Sequence, residues 1–218
     1  AGSIRLPAAF CGVAGLKPTY GRVSKRGVLP LSWTLDTCGP LTWTVEDSAI
    51  MLQIIAGHDS LDPCSAKREV PNYKSALQED LKGMRIGMVR HFYQRDTPAD
   101  DTTVVAMEDA AQTLEELGAT VVDVTLPPLA DYQAVTRVII VSEAFAIHGE
   151  SLLSKPELYS AVTRYRIMPG ALVSAVEYTN ALRFQRVLAN KTVRAMETLD
   201  ALLTATTYGP APVQSQMR

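Results

Sequence analysis

The amino-acid sequence predicts an α/β fold, and residues 84–126 carry the main indication. Met84 to Val89 has the composition of a strand, and apolar residues recur at helical spacing from Thr102 to Leu117. Gly118 ends this helix, and the alternating residues 119–126 predict a second strand. Because a strand, a helix and a strand with a short αβ turn form a βαβ unit, we expect parallel strands and a right-handed crossover.

The second half of the chain is predicted to be mostly helical. Helices are expected at about 131–150, 157–167 and 172–199, followed by a strand at 201–205. One face of the last helix is predicted to be apolar and contains Ala175, Tyr178, Leu182, Ala189, Val193 and Met196. The opposite face carries the basic residues Arg183, Arg186, Lys191 and Arg194. We expect this basic face to be solvated and not to contact nucleic acid.

The amino-terminal quarter has a different character. Residues 1–42 are rich in glycine and proline, which predicts short strands and turns with little helix. Thr44 and Asp47 have the spacing of a capping box at the start of a helix. The apolar residues that follow predict a largely buried helix, and Gly57 is its natural stop.

Composition narrows the classes of function. The 218 residues are 47% hydrophobic and 20% charged with a net charge of −2, which is typical of a globular protein and gives no general attraction to nucleic acid or membranes. No apolar run approaches the roughly 20 residues that span a bilayer. Three cysteines without metal-ligand spacing indicate reduced thiols and a cytoplasmic protein. The chain opens inside a motif without an initiator Met, so we interpret it as an internal piece of a longer protein.

The sequence Gly2-Ser3-Ile4 is the best candidate for a nucleophilic site. Gly2 gives the backbone access to conformations closed to other residues, so the amides of Ala1, Gly2 and Ser3 could converge on one point. Such convergent donors stabilise the oxygen anion that forms when a serine attacks a carbonyl group. Judged by spacing alone, the alternative is an ordinary Gly-Ser turn.

Ser3 lies within a long stretch of sequence that resembles a known family, and further parts of the chain resemble the same family. Residues 1–24 resemble the signature sequence of the amidase signature family. The likeness continues through Gly27, Pro30, Leu35-Asp36, Gly39-Pro40, Thr44 to Asp47 and Ala56 to Asp59. Asp200 to Thr207, with Gly209 to Pro212, is similar to a later strand and turn of the same family.

The resemblance implies a mixed central sheet flanked by helices, with residues 1–218 forming a partial amidase signature domain that lacks its N-terminal and C-terminal portions. It implies hydrolysis of a carboxamide C–N bond, with Ser3 as the nucleophile and the amides of Ala1 and Gly2 as oxyanion donors. The family's base is an upstream lysine that acts through a second serine in a cis peptide, and no cofactor or metal is needed. We therefore expect a small-molecule amide substrate, no membrane association and no activity of the 218 residues alone; a homodimer stays open.

Other candidate residues receive structural interpretations. The three histidines, His58, His91 and His148, are predicted to be surface or helix-edge residues, because no Asp is arranged to orient any of them as in a Ser-His-Asp triad. A Ser3–Lys17 dyad is conceivable from the sequence, but the resemblance favours a structural Lys17. Arg5 is interpreted as a guanidinium that pairs with a carboxylate and holds the loop behind Ser3. Asp36 is interpreted as a turn or cap residue, and Cys11 as a small buried thiol.

Three functions remain open. The first is a stand-alone amidase, the second is the amidase subunit of glutamyl-tRNA(Gln) amidotransferase, and the third is an inactive fragment or remnant. Residues 28–43 resemble the amidase form more than the amidotransferase form. Trp43 stands where many members of either kind have Arg, so the local packing there is expected to differ.

Overall fold

Two separate groups of strands organise the chain, and a computed structural model describes them within residues 2–77 and 80–213. The helices are α1 (Arg5–Cys11), α2 (Val45–Ile55), α3 (Asp101–Glu116), α4 (Leu129–Ser154), α5 (Ala161–Ile167) and α6 (Ala175–Ala195). The strands are β1 (Ala14–Gly15), β2 (Leu41–Thr42), β3 (Arg85–Met88), β4 (Thr120–Asp123) and β5 (Ala201–Leu203). Short 3₁₀ turns at Lys74–Ala76, Pro156–Leu158 and Met168–Leu172 and a π turn at Phe92–Asp96 connect them.

The chain forms two compact units. The first contains Ala1–Arg26, Thr37–Leu126 and Ala195–Arg218, and the second contains Gly27–Asp36 and Pro127–Arg194. The segment Gly27–Asp36 thus belongs with helices α4 to α6, although the residues on either side of it in the sequence belong to the first unit.

The first unit contains the predicted βαβ unit. Strand β3 pairs in parallel with β4 on one side and with β5 on the other, which gives the order β4-β3-β5. Gly87 lies in the central strand, and a Cβ there would come within 2.6 to 2.9 Å of side-chain carbons of Leu199, Val124 and Leu202. Helix α3 ends where Gly118 takes a φ of +97°, and β4 starts two residues later. The predicted α/β class, the parallel pairing and the two flanking strands are confirmed.

Helix α1 departs from the prediction for residues 1–42. The seven residues Arg5–Cys11 are helical and end at Gly12, which has a left-handed φ of 65° and whose amide donates to the carbonyls of Ala8 and Ala9. Pro7 lies in the first turn, where its missing N–H would have no helical partner in any case. Elsewhere in this segment, strands β1 and β2 form an antiparallel pair of two residues each. Cys11, predicted to be a buried thiol, is exposed at the end of this helix.

Helix α2 confirms the predicted capping box but not the predicted burial. The Thr44 hydroxyl accepts from the Asp47 amide, and the Asp47 carboxylate accepts from the Thr44 amide. Ala49 and Leu52 are buried on one side of the helix. The opposite side exposes Ile50, Met51 and Ile54, the last of these by 72%. The helix is therefore half-buried, because the described residues cover only one of its two apolar sides.

The second unit has its core between α4 and α6. Val135 and Ile139 on α4 pack with Ala181 and Leu188 on α6. Tyr178 and Leu182 join this core as predicted, whereas Ala189 and Val193 are exposed. The basic residues of α6 are all exposed, and they are Arg183, Arg186, Lys191 and Arg194. Within residues 2–77 and 80–213, no helix is both long and apolar enough to cross a membrane.

Gly170 packs closely against helix α4 within the second unit, and replacing it tests this packing. A Cβ at Gly170 would lie 2.0 Å from the Val141 carbonyl oxygen and 2.6 Å from the Phe145 Cβ, both on α4. Because a backbone atom cannot give way cheaply, we expect Gly170→Ala to lower the free energy of unfolding by about 1–3 kcal/mol. Urea denaturation measures the effect, and Leu172→Ala at an 87% exposed neighbour serves as control. Equal stability of the Gly170 variant and the wild type would contradict the packing.

Candidate active site

Ser3 lies in a turn immediately before α1, and both Gly2 and Ser3 are exposed. The Gly2 carbonyl accepts the Leu6 amide at 2.8 Å, which joins the turn to the helix. Within the described residues, the Ser3 hydroxyl has no hydrogen-bond partner, and neither the Gly2 nor the Ser3 amide donates a backbone hydrogen bond. These groups are thus open to an incoming molecule. The third predicted oxyanion donor, Ala1, lies outside the described residues.

Close contacts to two glycines hold the residue that follows Ser3. A Cβ on Gly15 would meet the Ile4 carbonyl oxygen at 3.1 Å and the Ala8 Cβ at 2.5 Å. A Cβ on Gly39 would meet the Ile4 Cδ1 at 3.1 Å and the Leu16 carbonyl oxygen at 2.2 Å. Glycines of the β1 and Gly39-Pro40 segments therefore let the chain approach Ile4 closely, and this packing fixes the backbone beside Ser3.

Lys17 is partly buried and hydrogen-bonded, whereas Arg5 is exposed. The Lys17 ammonium donates to the Pro18 carbonyl at 2.8 Å, which fits the structural role. Burial, followed by the nearby Arg5 charge, lowers the pKa of Lys17 below its ordinary value. Arg5 itself is exposed, and it forms none of the ion pairs found within the described part of the chain, so the predicted pairing with a carboxylate is not observed there.

The histidine prediction is wrong for two of the three residues. His58 is exposed, as expected. His148, only 8% exposed, has its two ring nitrogens 3.1 Å from the Tyr159 hydroxyl and 2.8 Å from the Pro30 carbonyl oxygen. His91 is also largely buried, and its Nδ1 lies 3.1 Å from the Asp96 carboxylate.

The His91–Asp96 pair resembles part of a catalytic triad, but its hydrogen bonds prevent that role in this arrangement. His91 Nε2 accepts the Leu126 amide at 3.1 Å, so this nitrogen carries the lone pair and Nδ1 carries the proton toward Asp96. The lone pair that a general base needs is therefore already used by the backbone. The sequence interpretation missed this pair because a π turn at Phe92–Asp96 brings the two residues together.

Asp36 has the predicted turn role and leads to a cluster that sequence reasoning missed. Its carboxylate accepts the amides of Leu31 and Ser32 at 2.7 and 2.9 Å. The same turn places Ser32 and Thr34 against Glu143, a glutamate of α4 that is only 6% exposed. The one available signal was a lone carboxylate in the apolar run from Ile139 to Ala144.

Four donors surround the Glu143 carboxylate. The Ser32 hydroxyl donates at 2.5 Å and the Thr34 amide at 3.1 Å to Oε2. The Thr34 hydroxyl donates at 2.8 Å and the Tyr178 hydroxyl at 2.7 Å to Oε1. Burial raises the pKa of Glu143, but these hydrogen bonds outweigh it, and the pKa lies below its ordinary value. Burial and the Glu143 carboxylate raise the pKa of Tyr178 to about 12.

Two cavities of the second unit border this region. A cavity of about 320 Å³, here called the Trp33 cavity, is lined by Trp33, Thr34, Ser142, Glu143, Ala146 and Tyr178. A cavity of about 380 Å³ is lined by Leu31, Ile140, Val141, Ala144, Thr163 and Ile167, with Arg137 and Arg166 as its charged residues. Among residues 2–77 and 80–213, no group of three or more His, Cys, Asp or Glu side chains could hold a metal ion.

The chain is similar to amidases and to amidotransferase subunits of known sequence. A family model described as Amidase matches residues 1–218. An amidase from Pseudomonas putida is 40% identical over 212 residues, which cover 96% of this chain and 45% of that protein. A glutamyl-tRNA(Gln) amidotransferase subunit from Rhodospirillum rubrum is 37% identical over 233 residues, covering 96% of this chain and 46% of its own length.

A solved structure shows the same relation. An inhibitor-bound structure, described as a vestigial protein complex that reveals the evolutionary origins of an s-triazine catabolic enzyme, superposes with a TM-score of 0.88 at 32% identity, over 98% of this chain and 45% of that one. The chain thus spans a little under half the length of the proteins that it resembles.

The Glu143 network gives a pH-dependent prediction. Because the pKa of Glu143 is lowered by folding, its ionised form stabilises the protein above the ordinary glutamate pKa, and this stabilisation is lost as the pH falls through the lower folded value. We expect Glu143→Gln to reduce the free energy of unfolding at pH 7. Between pH 7 and pH 3, the free energy of unfolding should fall less in this variant than in the wild type. Urea titrations at both pH values measure this, with the exposed Glu157→Gln as control. An unchanged pH slope in the Glu143 variant would rule out the ionised network.

Tyr178 offers a smaller change in the same network. Tyr178→Phe removes a 2.7 Å hydrogen bond to a charged group while keeping the aromatic ring. Hydrogen bonds to charged groups contribute about 1.5–3 kcal/mol, so a loss of this size in the free energy of unfolding is expected. Thermal and urea denaturation give the value, and a loss below about 0.5 kcal/mol, the range of ordinary surface substitutions, would contradict the bond.

Proposed function

The chain belongs to the Amidase family, and from this premise we propose that the complete protein hydrolyses a carboxamide C–N bond through an acyl-enzyme on Ser3. The observation that carries the proposal is the family match over residues 1–218. We take Ser3 as the nucleophile because residues 1–24 resemble the family's signature sequence. The open position of Ser3 supports it, because its hydroxyl has no partner within the described residues.

In the proposed reaction the Ser3 oxygen attacks the amide carbonyl carbon, and its proton passes to a base. The amides of Ala1, Gly2 and Ser3 donate to the oxygen of the tetrahedral intermediate, which reduces the barrier for the step that forms it. The C–N bond then breaks, the nitrogen leaves with a proton as ammonia or an amine, and water hydrolyses the ester to restore the hydroxyl.

For the base we propose a lysine that acts through a second serine, as the resemblance implies. Both ring nitrogens of His91 and of His148 are engaged by neighbouring groups, and the Lys17 ammonium binds the Pro18 carbonyl. Residues 1–218 are then one part of an amidase signature domain, and we propose that this part alone does not turn over an amide.

A second candidate is the amidase subunit of glutamyl-tRNA(Gln) amidotransferase, which the 37% identity to the Rhodospirillum rubrum protein favours. The likeness of residues 28–43 to the amidase form supports the first candidate. Ammonia release from glutamine, measured with and without partner subunits, separates the two. A stand-alone amidase hydrolyses small amides without partners, whereas the amidotransferase component requires them for efficient glutamine hydrolysis.

Replacing Ser3 tests the proposal directly. In the complete protein, Ser3→Ala is expected to reduce kcat for an amide substrate by more than about a thousandfold, since loss of one oxyanion donor alone costs up to that much. The exposed Ser60→Ala is a matched control. Covalent labelling by a fluorophosphonate, located by peptide mass, should occur at Ser3 and disappear in its variant. Residual turnover near the wild-type value, with unchanged circular dichroism, would refute the role of Ser3.

A further inference from the structure

The Trp33 cavity combines two features that attract cations. Its first feature is Glu143, which lines the cavity and whose carboxylate accepts hydrogen bonds from two hydroxyl side chains, one backbone amide and one phenol. All four donors are neutral, so the carboxylate is well solvated by the protein but keeps its negative charge. None of the ion pairs within the described residues includes Glu143.

The negative charge of Glu143 is weakly screened by water. Glu143 is nearly inaccessible to water, and a charge shielded from water is screened less than one at the surface. The four hydrogen bonds occupy about as many positions as a carboxylate offers for acceptance. A cation in the cavity would therefore interact mainly with the field of the carboxylate and would leave the hydrogen bonds in place.

The second feature is aromatic. Trp33 and Tyr178 both line the cavity, and Trp33 is 57% exposed. The face of an aromatic ring carries partial negative charge, and Trp is the best of the aromatic residues at binding a cation. An aromatic wall beside a buried anion is thus complementary to a group that is both positively charged and weakly hydrated.

We propose that the Trp33 cavity binds a small organic ammonium ion, with the charged nitrogen toward Glu143 and Tyr178 and the apolar part against Trp33. The volume of about 320 Å³ is near the lower end of ligand cavities and suits a molecule with one ring. The neighbouring cavity with Arg137 and Arg166 has the opposite charge, so it would repel the same ligand. This inference concerns the second unit alone and does not rest on the proposed amidase activity.

Benzylammonium is a suitable probe, with benzyl alcohol as its neutral counterpart and benzoate as its anionic one. Ligand-observed NMR titration of the full protein gives the three dissociation constants. We expect saturable binding of benzylammonium at least about tenfold tighter than that of benzyl alcohol, and no binding of benzoate at this cavity. Equal affinities for the ammonium and the alcohol, or no binding of the ammonium, would overturn the proposal.

Variants locate the site. Trp33→Leu should weaken benzylammonium binding about 5- to 30-fold, whereas Trp43→Leu, at the other exposed Trp, should leave it unchanged. Ala146 is exposed and lines the cavity, so Ala146→Lys adds a positive charge there without disturbing the core. We expect it to weaken benzylammonium binding at least about tenfold. Ala189→Lys, at an exposed alanine that does not line the cavity, is the matched control.

Ala146→Lys tests the charge requirement of the cavity and leaves the hydrogen bonds of Glu143 in place. Circular dichroism and urea denaturation establish that each variant is folded before its affinity is measured. Unchanged benzylammonium affinity in folded Ala146→Lys, or an equal loss in Ala189→Lys, would place the binding elsewhere and overturn the proposal.

Discussion

The second unit depends on one buried charge being fully hydrogen-bonded. Glu143 is held by residues from the Gly27–Asp36 segment and from α6, which are far apart in the sequence. An ionised carboxylate without partners would cost several kcal/mol to bury, so moving any of these three segments away from Glu143 would destabilise the unit. Asp36 supports the same arrangement by bracing the turn that presents Ser32. The second unit is therefore held together by a buried polar network in addition to its apolar core.

The sequence predicted best what local patterns determine. The βαβ unit, the capping box of α2 and the turn role of Asp36 each follow from residues within one short segment. Helix α1 was missed because glycine and proline are frequent around it, although Pro7 falls where a helix tolerates it. Glu143 was missed because its partners are 35 to 111 residues away, and no periodicity records such a distance.

Ser3, His91 and His148 show the same difference between what local sequence predicts and what distant contacts determine. Ser3 was found through a long motif, and the structure adds the close packing of Ile4 on Gly15 and Gly39 beside it. The burial of His91 and His148 depends on tertiary contacts to a backbone amide and a backbone carbonyl, which a sequence pattern does not reveal. In each case, the chemistry of a residue type was readable from the sequence, and its environment was not.

The two-sided apolar character of α2 has a consequence for solution behaviour. Ile50, Met51 and Ile54 form an exposed stripe that water solvates poorly, while the secondary structure around them is complete. Contact between such stripes on different molecules lowers the free energy without any unfolding. For residues 1–218 on their own, association through these stripes should therefore begin before unfolding, so that light scattering rises with concentration while the circular dichroism spectrum stays constant.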